Sequence, residues 1–143
     1  MPVHSIIHKQ HHLVLTIGEG QVTFWEIKAH QDRLLSDPDF DESFNQLIDA
    51  TAVTDLDLSG AQAKEIALRR IFSTKSRRAF IAKRPHVFGI GRIMEVYQEQ
   101  HAHVEVQVFS EIDAALRWLG LPSGLTMTLR QPSLESQEPD SQR

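Results

Sequence analysis

Short hydrophobic runs rich in β-branched residues alternate along this chain with segments in which apolar residues recur at helical spacing. The short runs predict strands, because such segments fit a pleated and half-buried sheet, whereas the helical spacing predicts amphipathic helices. By this criterion we expect five strands, at residues 3–7, 13–17, 46–52, 78–82 and 104–109.

Four helices are predicted after the second, third, fourth and fifth strands. Three of them start with a hydroxyl residue followed three positions later by an acidic or amide residue: Thr23 with Glu26, Ser59 with Gln62, and Ser110 with Asp113. The third helix instead has Pro85 in its first turn, where proline is favoured. Gly89 and Gly91 lie inside that helix, and we expect them to permit close packing on a neighbouring element.

The alternation of strands and helices from residue 13 onward predicts an α/β fold with a mostly parallel five-stranded sheet. The first strand is expected at an edge, antiparallel to the second, and Gly18 and Gly20 are expected to end the second strand. Residues 1–122 form the predicted domain. Residues 123–143, which are mainly polar, are predicted to be a disordered tail.

Composition narrows the class of protein. The chain has 143 residues, 41% of them hydrophobic, which is enough for one globular domain with a core. It has no cysteine, so disulfides, thiolate metal sites and thiol nucleophiles are excluded. The formal net charge of -4 argues against general nucleic-acid binding. No hydrophobic run has the length of a signal peptide core or a transmembrane helix, and we expect a cytoplasmic location.

Residues 47–60 have the sequence L-I-D-A-T-A-V-T-D-L-D-L-S-G, in which an acidic strand end is followed by Ser-Gly at a helix start. With the order of elements, this segment resembles the STAS domain (sulphate transporter and anti-sigma factor antagonist). It resembles in particular the stand-alone bacterial STAS-like proteins that are grouped with lipid-binding SEC14-type domains. The resemblance extends over roughly residues 3–121 and implies a STAS-like fold.

The same resemblance implies a candidate switch at Ser59. In antagonist-type STAS domains, a Ser or Thr at this position is phosphorylated by a partner kinase, and its state governs partner binding. Gly60 matches the family motif, whereas Leu58 stands where the family has serine. Taken from the residues alone, Ser59 is either a phosphosite or only a helix N-cap, and the recurrent capping pairs favour the cap. A phosphate there would add negative charge beside Asp55 and Asp57.

Charge is distributed unevenly along the chain. Residues 66–94 contain eight Lys and Arg residues and no acid, whereas residues 32–57 contain eight acids and one Arg. Such asymmetry is typical either of oppositely charged faces or of solvated helix ends. Lys83, Arg84 and Arg92 are the candidates for binding an anion or a lipid headgroup, next to a pocket between the second and third helices.

No catalytic or metal-binding motif is recognisable. The sequence lacks a G-x-S-x-G elbow, a phosphate-binding loop and a kinase signature, so we predict no catalytic residue and do not expect an enzyme. The eight histidines include several near predicted turns, but no third ligand stands at metal-site spacing. They are expected at the surface, with no metal site and no cofactor.

Two functions remain as hypotheses. The first is a non-catalytic bacterial regulatory module that binds a protein partner, such as a kinase or an anti-sigma-like regulator. Its surface would be the third-strand loop and second helix, with Thr54, Asp55, Asp57, Ser59 and Gly60. The alternative is a carrier or sensor of a lipid or another small apolar anion. The predicted edge strand at residues 3–7 leaves dimerisation open.

Overall fold

The computed structural model describes residues 2–102, 105–122 and 125 of the chain. Its strands are β1 (Val3–His8), β2 (Leu13–Thr23), β3 (Asn45–Asp57), β4 (Arg77–Ile81) and β5 (Glu105–Phe109). Its α-helices are α1 (Phe24–Leu35), α2 (Gly60–Leu68), α3 (Pro85–Tyr97) and α4 (Ile112–Trp118). A 3₁₀ turn (Lys9–His11) joins β1 to β2, and α3 continues into a π-helical turn (Gln98–Ala102).

The five strands form one sheet in the order β1-β2-β3-β4-β5. The strand β1 lies at one edge and is antiparallel to β2, whereas β2 to β5 are parallel to their neighbours. The predicted α/β fold with a mostly parallel sheet and an antiparallel edge strand is therefore confirmed. Because each parallel crossover moves in the same direction across the sheet, right-handed connections bring α1, α2 and α3 to one face.

The core is divided between the two faces of the sheet. On the face covered by α1, α2 and α3, residues such as Val53 and Phe80 pack against Val87 and Ile90 of α3. On the opposite face, inward residues of β2, β3 and β4 pack against α4. Leu125 is partly buried against that second cluster. The remaining residues of the predicted tail, and Val104 at the predicted start of the fifth strand, lie outside the described residues.

The prediction that Gly18 and Gly20 end β2 is wrong. The strand continues to Thr23 and pairs with a β3 that is longer than expected and reaches Asp57. The pairing absorbs two register shifts, between Ile17 and Glu19 and between Gly20 and Gln21. A side chain at position 18 would place its Cβ 2.9 Å from Val53, and Gly20 has φ +66°. Glycine at these positions therefore lets the strand bend and continue.

Helix capping is confirmed at two of the three predicted positions. The Thr23 and Ser59 side chains each accept a hydrogen bond from the backbone N–H three residues later, and Glu26 and Gln62 complete the two capping boxes. The third prediction is wrong, because Glu111 rather than Ser110 is the N-cap of α4, and its side chain makes no capping hydrogen bond within the described part of the chain.

Candidate functional site

The residues predicted to form a partner surface lie together at the carboxyl end of β3. Thr54, Asp55 and Asp57 are exposed residues of the strand itself, rather than of a loop as predicted, because the extended β2 provides a hydrogen-bonding partner that far. Ser59 and Gly60 follow and are also exposed. We call these five residues the Ser59 strip.

Ser59 is held as the N-cap of α2. Its Oγ accepts a hydrogen bond from the backbone N–H of Gln62 at 3.1 Å, and its own N–H donates to the Gln62 side-chain oxygen at 3.0 Å. The hydroxyl therefore lies at the positive end of the helix dipole while remaining exposed. Ser59 is therefore a helix cap, as the capping pattern predicts, and it lies at the surface of the protein.

The acidic side of the strip contacts the first turn of α3. One Asp55 carboxylate oxygen lies 3.5 Å from Nε2 of His86, and the other lies 3.5 Å from the side-chain nitrogen of Gln21. The same histidine nitrogen lies 3.2 Å from the backbone oxygen of Leu56. These contacts connect the end of β3 to β2 and to the first turn of α3.

The three predicted headgroup-binding cations have separate surroundings. Lys83 forms an ion pair with Glu111 at 3.0 Å, and Arg92 forms one with Glu95 at 3.3 Å along α3. Arg84 is the exposed N-cap of α3. Lys83 lines a depression with Asp49 of β3 and residues at the start of α4, on the face of the sheet that α4 covers.

Part of the basic tract stabilises the fold. Arg69 lies just after the last residue of α2, not in its last turn, and donates to Asp32 at 2.7 Å and to Gln31 at 2.9 Å on α1. Arg77 donates to the backbone oxygen of Trp118 at 2.8 Å. These contacts join separate elements, which is a structural role for two of the cations.

A chain of buried or half-buried polar side chains crosses the sheet beneath α1, and the sequence analysis did not predict it. Ser5 Oγ lies 2.6 Å from Nε2 of His30 and 2.8 Å from Oγ1 of Thr16. Gln46 donates to Thr16 at 2.9 Å and accepts from Nε of Arg78 at 2.9 Å. Polar residues inside otherwise apolar strands were the available signal, but their alignment depends on strand register.

Burial, together with the smaller effects of the nearby charges of Arg33 and His4, lowers the pKa of His30 to about 4. His30 is therefore neutral at pH 7. Together with Thr16, Gln46 and apolar residues from α2 and α3, it lines a cavity of about 80 Å³ beneath the three helices.

The histidine predictions are only partly confirmed. His12 and His101 are exposed, but His8 at the end of β1 and His30 in α1 are buried, which contradicts their predicted surface positions. His103 lies outside the described residues.

Within the described ranges, no group of three or more His, Asp or Glu residues is arranged to hold a metal ion. No helix of the described residues is long and apolar enough to cross a membrane.

Comparison with known proteins gives a similarity at the level of structure. No protein-family model matches the chain, and no curated protein matches it. Among solved structures, the chain is similar to an uncharacterised protein of the DUF3478 family from Shewanella loihica PV-4, described as having a SpoIIAA-like fold. The two are 20% identical, the match covers 75% of this chain and 83% of the other, and the TM-score is 0.47. The STAS-like order of strands and helices is seen directly in the present structure, from β1 to α4.

Proposed function

We propose that this protein is a non-catalytic regulatory module of STAS type that binds a protein partner through the Ser59 strip. The observation that supports the proposal is the exposure of all five strip residues on one continuous segment, which ends in a hydroxyl at a helix N-terminus. Exposed polar residues held on rigid elements are suited to recognition.

Phosphorylation of Ser59 would switch this surface. A phosphate adds a charge of about −1.5 to −2 and would accept hydrogen bonds from the free N–H groups at the start of α2, so the helix would keep its cap. The added charge would stand beside the exposed carboxylates of Asp55 and Asp57. A partner that tolerates the neutral hydroxyl would then be repelled, and the modification would release it.

The experiment begins with protein purified from its native host. Phosphopeptide mapping is expected to find phosphate on Ser59, and a partner captured by wild type is expected to bind Ser59→Ala but to bind Ser59→Asp at least tenfold more weakly. Because aspartate is itself a favourable N-cap, Ser59→Asp retains the start of α2. The lost binding would therefore report on charge and not on unfolding.

Ser43→Asp is the matched control. Ser43 is also exposed but precedes β3, at the opposite end of the strand from the Ser59 strip. The Ser43→Asp substitution adds the same negative charge to the molecule but leaves the Ser59 strip unchanged. Equal binding by all four proteins would contradict the proposal and leave Ser59 as a helix cap alone.

The second candidate, a carrier of lipid or of a small apolar anion between α2 and α3, has less support from the geometry. The apolar cavity beneath the helices measures about 80 Å³. Pockets that hold small-molecule ligands usually measure roughly 300–1,000 Å³. Native mass spectrometry tests this candidate directly. A co-purified lipid that is lost in Arg84→Glu would support it.

A further inference from the structure

Arg78 is a buried cation whose charge has no counterion in the described part of the protein. Its side chain is on the face of β4 that α1, α2 and α3 cover, and the residue is 7% exposed. Nε donates to Gln46, but no described carboxylate lies within 4.0 Å of the guanidinium. Burial lowers the pKa of Arg78 to about 10, so the group is still charged at pH 7. Burying an unpaired charge is costly, which makes its retention here informative.

The guanidinium lies at the wall between two cavities. On its Nε side is Gln46, which lines the small apolar cavity. Its carbon lies 5.1 Å from the centre of the Phe72 ring, which lines a larger cleft of about 520 Å³. Among described residues, neither terminal amino group of Arg78 has a hydrogen-bond acceptor. Both amino groups are therefore available to a ligand, and Arg78 is among the residues that line the larger cleft.

The cleft lies at the amino ends of the parallel strands, opposite the Ser59 strip. The residues after α2 form one wall, with Arg69 and the exposed Arg70, and Glu42 is the one carboxylate among its described lining residues. Since Arg69 is already paired with Asp32, Arg70 and Arg78 remain against the single carboxylate of Glu42, which leaves the cleft a net positive charge. The single acid would disfavour a ligand with several negative charges.

The other wall of the cleft is apolar. The rings of Phe40 and Phe72 meet edge to face with their centres 5.3 Å apart, and Leu35 at the end of α1 is 48% exposed beside them. Gln98, in the π-helical turn after α3, closes the cleft and donates to the backbone oxygen of Ala67. Such turns are frequent at functional sites.

We propose that this cleft binds a small organic carboxylate with an apolar body. The carboxylate would accept two parallel hydrogen bonds from the terminal amino groups of Arg78, the arrangement that the planar guanidinium favours. The apolar body would lie against Phe40, Phe72 and Leu35. The cleft volume is within the range of pockets that bind small molecules. This site is separate from the Ser59 strip and goes beyond the function proposed for it.

The proposal is tested by titrating ¹⁵N-labelled full-length protein with benzoate and with octanoate. Benzyl alcohol and octanol serve as neutral counterparts, and inorganic phosphate as a second anion. We expect saturable shifts of the Arg78 Nε–Hε resonance and of the Ser73 and Thr74 amides with at least one carboxylate. The matching alcohol is expected to bind at least tenfold more weakly.

Two arginine-to-methionine variants form a matched pair for the same titration. Arg78→Met is expected to raise the Kd at least tenfold, whereas Arg117→Met, which removes an exposed cation on α4, should leave it within twofold. Should Arg78→Met fail to fold, Arg70→Met at the exposed rim is expected to raise the Kd about threefold. The wild-type titration also remains decisive by itself.

Several results would overturn the proposal. One is that the alcohols bind as tightly as the matching carboxylates, which would show that the cleft recognises only the apolar body of the ligand. Others are shifts produced by phosphate but by neither carboxylate, or loss of binding in Arg117→Met but not in Arg78→Met. Absence of shifts up to tens of millimolar of both carboxylates would also refute it. None of these results bears on Ser59, so the two proposals can fail separately.

Discussion

At the scale of single residues, Gly89 and Gly91 in α3 show how packing distinguishes two similar positions. A Cβ at position 91 would lie 2.7 Å from a carbon of the Phe80 ring, whereas a Cβ at position 89 would meet no described atom within 4 Å. The expectation of close packing is therefore confirmed for Gly91 only. The sequence shows two glycines at helix positions, but the approach of β4 to one of them is a tertiary fact.

Alanine substitutions at these positions should have opposite effects. Gly89→Ala should stabilise the protein by about 0.5–1 kcal/mol, since alanine is the better helix former and the site is open. Gly91→Ala should destabilise it by about 1–3 kcal/mol, because the added methyl group overlaps Phe80. Urea denaturation measures both changes. Equal effects of the two substitutions would contradict the packing argument.

At the scale of elements, the starts of α1 and α2 could be predicted from local sequence, whereas the lengths of the strands could not. The capping boxes of α1 and α2 were predicted because each involves residues only three positions apart. The extension of β3 to Asp57 was missed, because it depends on pairing with β2 beyond two glycines. As a result, residues expected in a loop form part of a strand.

Alanine substitution should lower the free energy of unfolding at the two caps that form, but not at the predicted cap that does not form. Thr23→Ala and Ser59→Ala should each lower the free energy of unfolding by about 1 kcal/mol, because each leaves a helix N–H without its acceptor. Ser110→Ala, at the predicted cap that the structure does not form, should change it by less than about 0.5 kcal/mol. Chemical denaturation of the three variants provides the measurement. A similar loss in all three would show that the Oγ contacts at Thr23 and Ser59 contribute little.

At the scale of the whole molecule, the buried polar chain joins four strands to α1. Ser5, Thr16, Gln46 and Arg78 come from β1, β2, β3 and β4, and His30 adds the helix. This row of polar side chains ends at the guanidinium of Arg78, which has no counterion among the described residues and lines the proposed carboxylate cleft. The cleft and the Ser59 strip lie at opposite ends of the sheet, which gives the molecule two separate candidate surfaces.

His30 should make stability depend on pH. Its pKa is about 4 in the folded protein and near 6.5 when unfolded. The unfolded state therefore binds the proton first as the pH falls, so stability is full above pH 6.5 and declines between pH 6.5 and 4. The loss should be on the order of 3 kcal/mol. It is measured as the difference between the wild-type and His30→Gln unfolding free energies from pH 8 to 4.

The control for this pH dependence is His101→Gln, which removes an exposed histidine. Its pH profile should run parallel to that of wild type, whereas the His30→Gln profile should be flatter. If the His30→Gln profile also ran parallel to wild type, the buried neutral histidine would not be the cause.

The order of elements, the α/β class and the starts of α1, α2 and α3 could be predicted from the sequence. These features depend on periodicity and on residues close together in the chain. The meeting of the polar residues could not be predicted, because Gln46 and Arg78 are 32 residues apart and their contact depends on the register of β3 and β4. The same long-range pairing buries Arg78 without a described counterion, so no local pattern could have identified the cleft.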